Sequence, residues 1–291
     1  MKRIFPCLFC LAVILYIPTI TLADSLSREQ REATFRYINS LQNVDGGFCS
    51  GAAPGPSLVS ATSSALRAFK NLGGAINDKP EKFVLQCLHE FGGFSETPGG
   101  TPDIRTTWMG VSAIVNMKGA PPSNVEKIRE FVTNNAKGIF PDIFFAVATM
   151  EDAKIKTPKA SEWIAAVEAT RNPDGTYGKS ASDTAQAVVT ILRLGGTMMD
   201  PAPIAKAPKA AQRPDGSFSG RGDVSDLPGT YTIMRALCML KERPNLAEVV
   251  EYIRRCRNAE GGYGASPGKP SNMAFTYMAS SVLRWADELA K

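Results

Sequence analysis

The chain has 291 residues, 44% of them apolar, which is enough for a sizeable core but long for one domain unless that domain is a barrel or a repeat array. Its 33 basic and 28 acidic side chains give a formal charge of +5, and without a basic stripe this gives no case for a nucleic-acid partner. A single histidine, His89, and the lack of any Cys/His cluster with metal spacing leave no zinc motif to be read directly.

The first element is a leader. Lys2 and Arg3 precede the apolar run IFPCLFCLAVILYIPTITLA, and Thr21 and Ala23 are small residues before Asp24. This pattern predicts a signal peptide over 1–23, an exported (secreted or periplasmic) product, and one mature domain over 24–291. An uncleaved anchor is the alternative, because the run nearly suffices to cross a bilayer, although Pro6 and Pro18 interrupt it as a spanning helix. Cleavage removes Cys7 and Cys10 and leaves Cys49, Cys87, Cys238 and Cys256, too few for a disulfide scaffold. They are expected as reduced core thiols, and Cys87 and Cys256, each seven residues before a loop aromatic, as occupants of one repeated packing slot.

The rest of the chain repeats. QNVDGGFCSG, HEFGGFSETPGG, AKGIFPDIFF, RNPDGTYGKS, QRPDGSFSG and RNAEGGYGASPG align on Phe48, Phe94, Phe140, Tyr177, Phe218 and Tyr263, at intervals of 46, 46, 37, 41 and 45 residues. Segments of helical period precede these phrases; Leu246, Val249, Val250 and Ile253 fall at i, i+3, i+4 and i+7. Ser123 with Glu126 and Asn245 with Glu248 have the spacing of helix caps. After each aromatic a Gly/Pro/Ser loop leads into a more apolar helix, so each unit reads as a helical hairpin turned at its corner by glycine. The third phrase lacks the paired glycines, and Pro201, Pro203 and Pro208 predict a short or broken outer helix in the fifth unit.

At LQCLHEFGGFSETPGG, RPDGSFSGRG and RNAEGGYGASPGKPSNMAFT the chain resembles the prenyltransferase and squalene-cyclase repeat family, with most likeness to protein geranylgeranyltransferase β subunits. The resemblance implies an all-α fold, an α/α toroid (α6-α6 barrel) of six hairpins around an aromatic-lined funnel. In protein prenyltransferases of that family an Asp, a Cys and a His hold a catalytic zinc. Here the matching positions carry Pro228, Thr230 and Phe275, and only a slip in register would recruit Asp226 as a metal ligand. No zinc or other cofactor is therefore expected, except under a transferase alternative. The family's phosphate-contacting Arg and Tyr match Arg221 and Tyr231, whereas its Lys falls near Asp223 or Val224 and its His on Asp183, a carboxylate that would repel a diphosphate. The acid motif of the cyclase branch matches Ser180–Ala185, with Ser182 at the central acid and Asp183 better read as a cap.

These residues point to a binding or interaction module with a degenerate family site, taking a lipid or peptide ligand in the toroid cavity. A prenyltransferase with an altered site is the alternative, and a lyase or hydrolase using Asp183, Asp223 and Asp226 a third reading. The inner helices should converge at the corner end, where Arg105, Lys179, Arg221 and Lys269 would join their N-termini in holding an acidic head. Trp108, Tyr231, Phe275 and Tyr277 would line an apolar funnel below. N-terminal sequencing of the mature product should return Asp24 first; a membrane-bound product that keeps Lys2 and Arg3 would make the leader an anchor.

Overall fold

A computed structural model describes residues 25–51, 54–138, 142–198, 201–219 and 226–291; the leader, Phe140, Arg221 and Asp223 lie outside them. Twelve helices follow in order: α1 (Arg28–Ser40), α2 (Val59–Asn71), α3 (Glu81–Gln86), α4 (Ile104–Lys118), α5 (Val125–Asn135), α6 (Phe144–Ala153), α7 (Ala160–Glu168), α8 (Ala181–Arg193), α9 (Pro201–Ala210), α10 (Leu227–Leu240), α11 (Leu246–Arg255) and α12 (Met273–Ala290). The odd-numbered helices are amphipathic. In α11, Leu246, Val249, Val250 and Ile253 are buried while Glu251 and Arg254 face solvent. The even-numbered helices are buried on most sides, as α4 is at every residue from Thr106 to Ile114. A helix apolar around its whole circumference needs neighbours on all sides, so the even helices form the inner layer.

Each inner helix packs on the next, from α2 through α4, α6, α8 and α10 to α12, and α12 returns to α2. The ring is closed, and the all-α toroid of six hairpins expected from the sequence is the observed architecture. No helix among the described residues is long and apolar enough to cross a membrane.

The corners show why one phrase recurs. Phe48, Phe94, Tyr177, Phe218 and Tyr263 are all at most 2% exposed. Their backbone N–H groups donate to the hydroxyls of Thr62, Thr107, Thr184, Thr230 and Thr276 at 2.9 to 3.2 Å. Each threonine stands three residues after the first residue of its inner helix, so a helical side chain satisfies a loop donor that burial would otherwise leave unpaired. Asp45, Asp174 and Asp215 close the preceding turns by accepting from the N–H two residues on, at 2.9 to 3.0 Å.

Neighbouring corners are also joined. The carbonyl two residues after a corner aromatic accepts the first N–H of the preceding unit's inner helix: Val59 N donates to Glu96 O (3.0 Å) and Leu227 N to Ala265 O (2.8 Å). Met273 N donates to Ser50 O (2.7 Å) in the same way, and this bond joins the sixth unit to the first.

The fifth outer helix is neither broken nor especially short. It runs ten residues, as long as α11, because Pro201 and Pro203 fall in its first turn, where N–H groups have no intrahelical acceptor; Pro208 alone is internal. The shortest outer helix is α3, with six residues. Asn245 caps α11 as expected, but α5 starts after Asn124, whose side chain makes no cap bond, and not after Ser123. The four cysteines among the described residues are free; Cys87 and Cys256 end α3 and α11, are fully buried, and accept Ser95 N and Gly264 N through their carbonyls at 3.0 and 2.9 Å, so they do share one slot.

The glycine two residues before the aromatic has a positive φ, and at Gly261 (φ 98°) a side chain would also strike the Ala33 carbonyl of α1, across the ring closure. Gly175 (φ 85°) has only the tip of Arg171 nearby, at 3.7 Å. Gly261→Ala should therefore cost about 3 kcal/mol in denaturant unfolding and Gly175→Ala about 1 kcal/mol, the left-handed penalty alone. Equal losses would contradict the packing of the sixth corner on the first outer helix.

Candidate ligand-binding lumen

The inner ring encloses two chambers. The upper one, a cavity of about 230 Å³, lies among the starts of the inner helices and is largely apolar, with Met109, Phe144, Phe145, Val189 and Met278 in its wall. The lower one, about 430 Å³, lies among their C-terminal halves and is polar, with Arg67, Asn71, Glu151, Asp152 and Arg284. Arg193, Tyr231, Arg235 and Tyr277 line both, so these four side chains form the partition, and Arg67 lies against its Tyr277 from the lower chamber.

The partition concentrates positive charge. The Arg67 guanidinium carbon lies 3.9 Å from the ring centre of Tyr277 and 4.6 Å from that of Trp108. Its Nη2 donates to the Tyr277 hydroxyl, which lies 2.8 Å from the hydroxyl of Tyr231. Its Nη1 is buried and has no partner among the described residues. Arg193, with a side chain only 8% exposed, places Nε 2.8 Å from Glu151, yet its Nη1 is likewise buried without a partner. Arg235 reaches the second oxygen of Glu151 at 3.7 Å, so one carboxylate serves two arginines. Asp152 accepts the indole N–H of Trp108 at 3.0 Å. Burial pushes the Arg193 guanidinium below its usual pKa; Glu151 pulls it back, and the like charge of Arg235 adds to the depression. Burial likewise raises the Tyr277 phenol, against the pull of Arg67.

Of the residues singled out in the sequence, Arg105, Trp108 and Tyr231 line the upper chamber, with Arg105 exposed at its mouth, and Tyr277 joins them at the partition. Phe275 is half-buried against the hydrophobic core, while Phe144 and Phe145 supply aromatic wall that the sequence reading passed over. Lys179 and Lys269 are exposed on the corner loops, apart from the chamber walls, and Arg221 lies outside the described residues. Ser180, not Asp183, caps α8, and Asp183 reaches back to accept Lys179 N at 3.0 Å. Most inner-helix N-termini are already served by their own caps or by the next corner, which leaves little of the expected anion cradle. Arg67, Arg193 and Arg235 are not among the candidates read from the sequence, although two of them carry a register signal: Arg67 and Arg235 each follow a corner threonine, Thr62 and Thr230, by five residues.

The positions matching the family's zinc ligands do not fit a zinc ion. The Thr230 hydroxyl accepts from Phe218 N at 3.1 Å and donates to Asp226 O at 2.9 Å, the same pair of bonds that Thr62, Thr107 and Thr276 make in their units. Asp226 Oδ1 accepts Gly229 N at 2.7 Å as the cap of α10, and Pro228 and Phe275 offer no ligand atom in their side chains.

A family model for the prenyltransferase alpha-alpha toroid domain matches residues 62–137 and 142–291. Over 57 residues the chain is 39% identical to a probable geranylgeranyl transferase type-2 subunit beta of Caenorhabditis elegans, a stretch that covers 19% of this chain and only 17% of that protein. Among solved structures, protein geranylgeranyltransferase-I of Candida albicans complexed with GGPP is similar with a TM-score of 0.65 at 13% identity, over 87% of this chain and 90% of that one. The type II terpene cyclase MstE of Scytonema, in complex with geranylgeranyl dihydroxybenzoate, is similar with a TM-score of 0.64 at 10% identity, over 92% and 98% of the two chains.

If Thr230 is a corner acceptor and not a remnant of a metal site, Thr230→Val and Thr276→Val should destabilise alike, by about 1–3 kcal/mol each, for a buried N–H left unpaired. Thr230→Ser should keep most of the stability. A neutral Thr230→Val beside a costly Thr276→Val would set position 230 apart.

Proposed function

We propose that this chain, which belongs to the prenyltransferase α/α-toroid family, is an exported binding protein that takes an amphiphile with an isoprenoid-like tail and an acidic head into its lumen without making or breaking a bond. The observation that carries this reading is the adjacency of an apolar, aromatic-walled chamber to a buried cationic partition whose N–H donors are not all used. A cavity of this kind, apolar with a few convergent polar groups, is the usual form of a small-molecule site. The solved relatives, one complexed with GGPP and one with geranylgeranyl dihydroxybenzoate, make a prenyl chain the natural class of tail.

The absence of chemistry rests on what the matching residues do. Thr230 and Asp226 serve the corner and a helix end, and Phe275 packs on the core. Ser182, at the position of the cyclase acid, is buried and has no acidic proton to give. Asp183 likewise works at a helix terminus. Among the described residues neither a metal-activated thiolate nor a carboxylic acid poised over the tail is in place, so a binder has more support there than a transferase, a cyclase or a loop-carboxylate hydrolase.

Native mass spectrometry and Trp fluorescence of the mature protein titrated with geranylgeraniol, a neutral C20 prenol, test the tail site. Saturable one-to-one binding is expected, with a loss of at least about tenfold in Gln186→Trp, which fills the upper chamber. No saturable binding, or binding indifferent to that substitution, would overturn the reading.

A further inference from the structure

We infer that the acidic head is a single carboxylate seated at the partition between Arg67 and Arg193, so that the ligand enters head first and leaves its tail in the upper chamber. This rests on the lumen reading above and adds the head's charge, its partners and its direction.

Charge decides the head. Around the partition stand Arg67, Arg193 and Arg235, and facing them Glu151 and Asp152. Glu151 is shared by Arg193 and Arg235, and Asp152, which accepts from the neutral indole of Trp108 and keeps its charge, favours the Arg67 cation through its field, so three guanidinium groups over two carboxylates leave one net positive charge on the cluster. The other cations of the lower chamber do not alter this balance: Arg284 pairs with Glu288 at 2.6 Å, and Lys70 is exposed. One monoanion restores neutrality. A phosphate monoester, at about −1.5 to −2 near pH 7, would overshoot, and a diphosphate more so.

Hydrogen bonding decides the partners. Two guanidinium nitrogens from different helices, Arg67 Nη1 of α2 and Arg193 Nη1 of α8, are buried without acceptors. A carboxylate brings two acceptor oxygens and no donor, which suits two arginine N–H groups better than a hydroxyl, whose own proton would need an acceptor among cations. The stacking of Arg67 between Trp108 and Tyr277 holds its plane fixed before any ligand arrives.

The corner end decides the direction. There the helix N–H groups are largely consumed by caps and by neighbouring carbonyls, Lys179 and Lys269 are exposed away from the wall, and of the described cations only Arg105 lines the mouth. The net positive charge and the unpartnered guanidinium nitrogens lie deeper, at the partition, and a head left at the mouth would leave them unmatched.

Three ligands with one tail separate the possibilities: geranylgeranoic acid, geranylgeraniol and geranylgeranyl diphosphate, each titrated into wild type, Arg67→Gln and the double variant Lys179→Ala/Lys269→Ala. The acid should bind wild type at least about tenfold more tightly than either of the others, as charged hydrogen bonds imply. Arg67→Gln should reduce the acid to the affinity of the alcohol and leave the alcohol within about twofold, while the loop variant changes neither. The melting point of wild type should rise with the acid and that of Arg67→Gln should not. Acid and alcohol binding equally would overturn the head site and leave the tail site standing. A diphosphate preference abolished by the loop variant would place the head at the corner end. If none of the three binds, the lumen reading fails and this inference with it; if Arg67→Gln does not fold, the wild-type ranking of the three heads still decides.

Discussion

Everything in this molecule depends on ring closure, and closure rests on two kinds of small bond, one recorded at five corners and the other at three joins among the described residues. A corner aromatic gives its N–H to a threonine of its own inner helix, and a carbonyl two residues further on accepts the first N–H of the preceding inner helix. Each such bond contributes about 1 kcal/mol net, but leaving its buried donor unmade costs more, so the corner sequence is held to one pattern. The bond from Met273 to Ser50 and the fit of Gly261 against Ala33 apply that pattern across the join between the last unit and the first.

Closure has an electrostatic consequence. In an open array, arginines on the inner helices would lie in water, where an unmatched charge costs little. Inside a ring, Arg67 and Arg193 are enclosed: burial depresses the pKa of Arg193 even with Glu151 beside it, whereas at Arg67 burial is outweighed by Tyr277, Tyr231 and Asp152, which raise its pKa. Their place in the C-terminal halves of α2 and α8 eases the burden, because the helix dipole favours cations there. It does not remove the burden, since dipole effects fade within a turn and two guanidinium nitrogens remain without acceptors. Three guanidinium groups over two carboxylates leave one net positive charge inside the ring, which makes sense as half of an interaction whose other half arrives from outside.

The architecture was legible in the sequence because its signals are periodic and local: an aromatic every 37 to 46 residues, glycine two positions before it, an amphipathic helix ahead and an apolar helix behind. The site was less legible. Lys179 and Lys269 stood out as loop cations near expected helix starts, but nothing in a single strand of sequence says which way a loop side chain faces. Arg67 and Arg235 were passed over because an inner helix is apolar all round, and its luminal face cannot be told from its core face until six helices are set in a circle. Thr230 looked like a lost ligand when matched to relatives, whereas the comparison within the chain, with Thr62, Thr107, Thr184 and Thr276, identifies it as one of five equivalent corner acceptors. The fifth outer helix was underestimated because two of its prolines occupy the one turn where proline costs nothing.

The charge state of a bound carboxyl group reports on the lumen more directly than any affinity. Geranylgeranoic acid labelled with carbon-13 at the carboxyl, bound to the mature protein, would be followed by NMR from about pH 8 down to about pH 4, the ordinary carboxylate range. With one net positive charge on the arginine cluster and two N–H donors waiting, attraction outweighs desolvation, and the bound resonance should stay at its ionised position throughout. A bound resonance that titrates at or above the pH of the same acid in detergent would mean that the lumen offers no unmatched positive charge, and would contradict the central claim.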